Sequence, residues 1–134
     1  MPLPESTIAE LHRIFGPENV LTAREDLIPY SFDRTAALQQ LPGVVVIATE
    51  TKQISSLLQH ANQAHCTVVT RGSGTGLSGG SLPNENCIVL CLSKMHRILE
   101  VDAANLTLLA EAGATTQAVA EAAARQHGVG PRHR

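Results

Sequence analysis

The stretch Thr67-Val68-Val69-Thr70-Arg71-Gly72-Ser73-Gly74-Thr75-Gly76-Leu77-Ser78-Gly79-Gly80-Ser81-Leu82-Pro83 decides how the rest of the chain is read. Its first four residues form a short β-branched run that reads as a strand. From Arg71 onward there is no periodic pattern, and five glycines fall between positions 72 and 80 with hydroxyl residues in most of the gaps. Glycine lets the backbone approach a ligand closely. Successive backbone N–H groups in such a loop form a concave nest that favours an anion. Ser73, Thr75, Ser78 and Ser81 add hydroxyl donors, and Arg71 is the only charge in the segment. No Asp or Glu stands between Lys52 and Glu85, so no carboxylate nearby in sequence repels a phosphate. The stretch reads as a cradle for a diphosphate.

Three other readings of the loop compete with that one. Gly74-x-Gly76-x-x-Gly79 matches the dinucleotide fingerprint, which needs a helix to begin within the motif. Here Gly80, Pro83 and Asn84 follow, and then a strand, so the context fails. A Walker loop ends in Gly-Lys-Ser/Thr, and no lysine occurs between Lys52 and Lys94. A flexible linker is the bland alternative, but linkers rarely join two buried strands, and Leu77, Leu82 and Pro83 are out of place in one. A loop of this length without structure of its own inside a compact domain is usually functional. What remains is a loop that anchors a diphosphate and performs no chemistry on it.

Upstream, Val44-Val45-Val46-Ile47-Ala48 is β-branched without alternation, the pattern of a strand covered on both faces in a parallel sheet. Thr51 stands where an N-cap belongs, and Ile54, Leu57, Leu58 and Ala61 form an apolar helical stripe. With strand 67–70 these predict a βαβ unit. A strand over 87–92 follows the loop. Arg97–Asp102 and Leu106–Ala110 flank a polar turn and predict an antiparallel hairpin. Thr115 or Thr116 then caps a helix over 116–127, with Val119, Ala122 and Ala123 facing inward. At the start, Ile8, Leu11, Ile14 and Phe15 predict a helix that Gly16-Pro17 stops. Residues 17–43 show no clear pattern, and Tyr30-Ser31-Phe32-Asp33-Arg34 is either a loop over the site or a polar loop pinned by two aromatics. The predicted class is α/β, with a parallel subdomain and the beginning of an antiparallel one divided near Ser93–His96.

Composition narrows the function classes. The 134 residues suffice for one modest domain, and 43% hydrophobic against 16% charged residues describes a globular chain. The aromatic set is Phe15, Phe32 and Tyr30, too sparse for the stacking platforms of single-stranded nucleic-acid binders. A net charge of −2 provides no field for a polyanion. No apolar run has the roughly 20 residues a membrane span needs, and the start lacks the basic and apolar regions of a secretory signal. A cytoplasmic setting is expected. Cys87 and Cys91 could form a metal knuckle, but along a strand they are about 13 Å apart, so reduced core cysteines are expected and no metal site is assigned. His60 and His65 are expected to be solvent-exposed, His96 to lie in a turn, and His127 and His133 at the terminus. No Ser/His/Asp set assembles, and no catalytic residue is assigned.

The stretch Arg71–Pro83 resembles the pyrophosphate loop of FAD-linked oxidases of the vanillyl-alcohol oxidase/p-cresol methylhydroxylase type. The resemblance is closest to the FAD-linked subunit of glycolate oxidase and to the D-lactate dehydrogenases. Leu92-Ser93-Lys94-Met95-His96-Arg97-Ile98 and Glu111-Ala112-Gly113-Ala114 agree with the same family, so the likeness covers roughly residues 10–128. It implies FAD bound non-covalently, its diphosphate held by Arg71, Gly72, Ser73, Gly74, Thr75, Gly76, Leu77, Ser78, Gly79, Gly80 and Ser81. It divides the chain into a lead-in, residues 1–43, and an incomplete p-cresol-methylhydroxylase-type FAD-binding domain, residues 44–134. Within that domain the parallel subdomain covers about 44–92, and the hairpin and helix cover about 97–128. It also implies oxidation of a 2-hydroxy acid of the glycolate or D-lactate kind, with an iron–sulfur partner subunit as electron acceptor. The family continues beyond this point with the isoalloxazine pocket and a cap domain, whereas this sequence ends Gly130-Pro131-Arg132-His133-Arg134. The expectation is therefore a first part or truncated form, inactive by itself and purifying without stoichiometric flavin. A non-catalytic fragment, or a phosphate-binding half-domain unrelated to flavin, is the competing reading.

Overall fold

A computed structural model describes residues 3–30, 41–72 and 86–127. Met1–Lys94 and Met95–Arg134 form two compact units. In the first, α1 (Glu5–Phe15) ends at Gly16, whose positive φ of 80° glycine adopts without steric cost. A 3-10 turn, Pro17–Asn19, leads into the two-residue strand β1 (Val20–Leu21). The short helix α2 (Arg24–Leu27) runs directly into a 3-10 turn, Ile28–Tyr30. Then come β2 (Val44–Ile47), α3 (Thr51–Ala64), β3 (Thr67–Arg71) and β4 (Cys87–Cys91).

The sheet order is β1-β2-β4-β3, with β4 parallel to both β2 and β3 and β1 antiparallel to β2. The last strand of the unit is thus inserted between the two strands of the βαβ element. Val45 and Val69 flank Val89, and Ile47 and Arg71 flank Cys91, in register. Because strand side chains alternate between faces, positions 45, 87, 89 and 91 share one face. There they form a buried cluster with Leu27, against which Leu21, Tyr30, Leu41, Ile47 and Val69 pack. Val44, Val46, Ile88 and Leu90 on the other face are equally buried, and α1 and α3 contact β2 and β3. Both faces are covered, which is why the strands carry apolar runs without alternation.

Two helix details differ from expectation. Thr51 is not the N-cap of α3: Glu50 is, in a capping box with Gln53, whose Oε1 accepts from the N–H groups of Thr49 (2.8 Å) and Glu50 (3.2 Å). The Glu-x-x-Gln pair satisfies the orphan donors of the first turn from both sides, so the threonine hydroxyl is not needed. Leu58 does not belong to the buried stripe. It is 50% exposed, while Leu57 is 0% exposed. The contact between α1 and α3 is pinned by a hydrogen bond between His60 Nε2 and Thr7 Oγ1 (3.1 Å). His60 is therefore half-buried rather than solvent-exposed, because the buried Thr7 hydroxyl needs a partner.

In the second unit, β5 (Ile98–Asp102) and β6 (Thr107–Ala110) form an antiparallel hairpin with an irregularity between Ile98 and Glu100. Helix α4 (Thr116–His127) contacts both strands. Thr115 Oγ1 accepts from Ala118 N–H at 3.1 Å and so caps α4. Asp102 accepts from the backbone and side chain of Asn105 in the hairpin turn.

Candidate functional site

The parallel strands end at one level. Ile47, Cys91 and Arg71 stand side by side in register, and the ladder continues one step further through Ala48 N–H to Cys91 O (3.1 Å) and Leu92 N–H to Arg71 O (2.9 Å). In open α/β sheets ligands bind outside this carboxyl edge. β3 delivers Arg71 to that edge as its last residue, with Gly72 immediately beyond.

The Arg71 side chain is held by the segment that follows α2. Its Nη2 donates to the carbonyl of Pro29 at 3.3 Å. The guanidinium carbon lies 5.4 Å from the centre of the Tyr30 ring, within the range of a cation–π contact. Tyr30 packs against the buried cluster that contains Cys91, whose Sγ is 3.2 Å from Ser93 Oγ. Burial pushes the Tyr30 phenol above its ordinary pKa and the neighbouring Cys91 thiol adds to the rise, while the Arg71 charge pulls it back. Leu27 anchors the segment in the core. Neither the Pro29 carbonyl nor the phenol ring carries a charge that cancels the guanidinium. These two contacts orient the guanidinium.

Gly72 has room around it. Among the described residues a Cβ placed there meets nothing within 4 Å, and the φ of Gly72 lies outside the left-handed region. Backbone conformation does not require the glycine, so the sequence argument for it rests on close approach of a ligand. A guanidinium at the carboxyl edge of a parallel sheet is suited to an anionic ligand. Of the residues singled out from sequence, Arg71 and Gly72 are described, and Ser73, Gly74, Thr75, Gly76, Leu77, Ser78, Gly79, Gly80 and Ser81 lie outside the described residues. So do Phe32, Asp33 and Arg34. Tyr30 begins the segment that reads either as a loop over the site or as a polar loop pinned by two aromatics, and its proximity to Arg71 has no sequence signature because 41 positions separate the two.

The remaining candidates are dispersed. Cys87 and Cys91 are buried on β4 and Cys66 is half-buried, none of the three in a disulfide. His65 and His96 are exposed. Among the described residues no three His, Cys, Asp or Glu side chains converge, and no helix is long and apolar enough to cross a membrane. In the second unit Glu111 accepts from Arg97 through the backbone N–H (2.9 Å), Nε (2.8 Å) and Nη2 (3.3 Å). The side-chain hydrogen bond from Arg97 lowers the Glu111 carboxyl below its ordinary pKa, with the Arg97 backbone contributing next. This pair ties the start of β5 to the residue after β6.

Comparison with known proteins gives the family and the fold. The model of a family described as FAD binding domain matches residues 42–133. Glycolate oxidase subunit GlcD of Bacillus subtilis is 36% identical over 107 residues, which are 80% of this chain and 23% of the relative. D-lactate dehydrogenase of Archaeoglobus fulgidus is 41% identical over 104 residues, 75% of this chain and 23% of the relative. Among solved structures, p-cresol methylhydroxylase with substrate bound superimposes with a TM-score of 0.78 at 22% identity, covering 93% of this chain and 25% of its own. Alkyldihydroxyacetonephosphate synthase gives a TM-score of 0.82 at 17% identity, covering 93% and 26%. At such identities these two likenesses establish the fold. The chain spans less than a quarter of the length of these two curated relatives.

Proposed function

The chain belongs to the FAD binding domain family, and from that premise we propose that Arg71 and the loop to Ser81 hold the diphosphate of FAD without a covalent link. The observation that carries this reading is the Arg71 guanidinium, set at the carboxyl edge of the parallel sheet by Pro29 and Tyr30. Charge-assisted hydrogen bonds from such a group to a phosphate are about twice as strong as neutral ones. The backbone N–H groups of the glycine-rich loop supply the rest of the cradle. The protein's part is binding and orientation.

The proposed parent reaction is oxidation of a 2-hydroxy acid of the glycolate or D-lactate kind to the 2-oxo acid. FAD, when bound, supplies the two-electron acceptance that this oxidation requires. The relatives' names, a glycolate oxidase subunit and a D-lactate dehydrogenase, support that substrate class. An iron–sulfur partner subunit is the proposed onward acceptor, and the Bacillus relative's designation as a subunit supports a partner of some kind. Three cysteines outside any disulfide, two of them buried, support a reducing, cytoplasmic setting. A second reading, a phosphate-binding half-domain without turnover of its own, draws on the small share of the relatives that the chain spans. Oxidation of glycolate or D-lactate by the purified chain with added FAD would exclude it.

The test of the diphosphate reading is a titration of FAD with the chain, followed by flavin anisotropy. Wild type is expected to show saturable binding and Arg71→Glu none. Unchanged affinity in Arg71→Glu, or no saturable binding in wild type, overturns the proposal.

A further inference from the structure

Tyr30 has a place in this site that neither the family match nor the glycine-rich motif assigns. Its ring lies 5.4 Å from the Arg71 guanidinium carbon. The preceding residue, Pro29, accepts a hydrogen bond from Arg71 Nη2. One short turn therefore grips the guanidinium twice, through a carbonyl and through a π face. The turn is itself fixed. Leu27, two residues before Pro29, is 6% exposed within the cluster that contains Val45, Cys87, Val89 and Cys91, and Tyr30 packs against that cluster. That cluster includes Cys91, the residue in register with Arg71 on the central strand. The ring thus packs on the core of the sheet and presents its face to the last residue of β3.

An arginine side chain has four rotatable torsions, and ordering it on binding costs free energy that a preset guanidinium does not lose again. We infer that Tyr30 is a positioning residue: it presets the Arg71 guanidinium for an anionic diphosphate at the carboxyl edge of the sheet, acting through Arg71 without touching the ligand. The inference rests on the diphosphate reading for what Arg71 binds, but the grip of Tyr30 on Arg71 stands on the contacts alone.

The composition offers a direct readout. Tyr30 is the single tyrosine and there is no tryptophan, so the phenolate absorbance of the protein titrates one group. The Arg71 charge over the ring favours phenolate. Arg71→Gln should therefore raise the midpoint of that titration, and an unmoved midpoint overturns the contact, whether or not FAD binds. For the ligand, Tyr30→Leu is expected to weaken FAD about three- to fivefold, the equivalent of a partly exposed cation–π contact. Tyr30→Phe, which keeps the ring face, should recover most of that loss. In an Arg71→Gln background Tyr30→Leu should cost nothing further, because the group it positions is gone. A Tyr30→Leu loss that persists undiminished in that background, or no loss in Tyr30→Leu alone, overturns the positioning role. A merely structural role would give the persistent loss. If Arg71→Gln leaves FAD affinity unchanged, the diphosphate reading falls, while the phenolate titration still decides whether Tyr30 holds Arg71.

Discussion

Leu57→Ala and Leu58→Ala remove the same atoms from adjacent positions of one helix, and the structure expects them to differ sharply. Leu57 is fully buried and Leu58 is 50% exposed. Leu→Ala at a fully buried site costs about 2–5 kcal/mol, through lost transfer energy plus the cavity left behind. At a half-exposed site only part of the roughly 1.5–3 kcal/mol for burying a leucine is at stake, so a loss of about 1 kcal/mol or less is expected. The helix-propensity change is the same at both positions and cancels in the comparison. The gap of roughly 2 kcal/mol corresponds to about 10 °C in Tm for a unit of this size. Urea and thermal unfolding, followed by far-UV circular dichroism, measures it, with equal m-values as the check that both variants unfold alike. Equal losses at the two positions would show that α3 does not bury its Leu57 face, and the two-sided covering of the parallel strands would fall with it.

Three further outcomes are expected. Gly72→Ala should leave unfolding stability unchanged or slightly raised, since φ is permissive and a Cβ has room, yet weaken FAD in the anisotropy titration; unaltered affinity would remove close approach as the reason for this glycine. His65 closes α3 with a left-handed φ of 56°, so His65→Gly should stabilise by about 0.5–1 kcal/mol in urea unfolding, because glycine relieves the Cβ crowding. Glu111 has a depressed carboxyl pKa in the folded state. Its contribution is therefore complete above the unfolded value near 4.5 and lost as pH falls through the lower folded value. Amide exchange in β5 and β6 should accelerate more steeply below that pH in wild type than in Glu111→Gln, and parallel profiles would exclude the Arg97 pairing as the cause.

Much of the architecture was legible because burial leaves periodic traces. The aliphatic run at Val44–Ile47, the stripe of Leu57 and Ala61, and the stop at Gly16 each encode a local element. Strand order leaves no such trace. Nothing in the spacing of Cys87–Cys91 says that this strand lies between β2 and β3, because hydrogen-bonded neighbours are chosen by tertiary packing. The two residues of β1 are too few for a period, and α2 with its following turn is broken by Pro29. The proposed anchor was readable from the charge and glycines around Arg71. Its support was not, since Tyr30 reaches Arg71 only after the sheet has formed. The capping of α3 by Glu50 was hidden for another reason: Thr51 is the commoner cap by type, and only the reciprocal Gln53 bond reveals the alternative.

The insertion of β4 between β2 and β3 also sets an order of events during synthesis. As the chain emerges, β2, α3 and β3 are complete before Cys87 is made, yet β2 and β3 share no ladder with each other. Both parallel pairings wait for β4, which closes contacts across the loop and across the whole βαβ element. Non-local parallel pairing of this kind is slow to form. The residues that frame the carboxyl edge, Ile47, Arg71 and Cys91, therefore come to one level in a single late step. A nascent chain stalled before residue 91 lacks the complete strand on which both parallel ladders form.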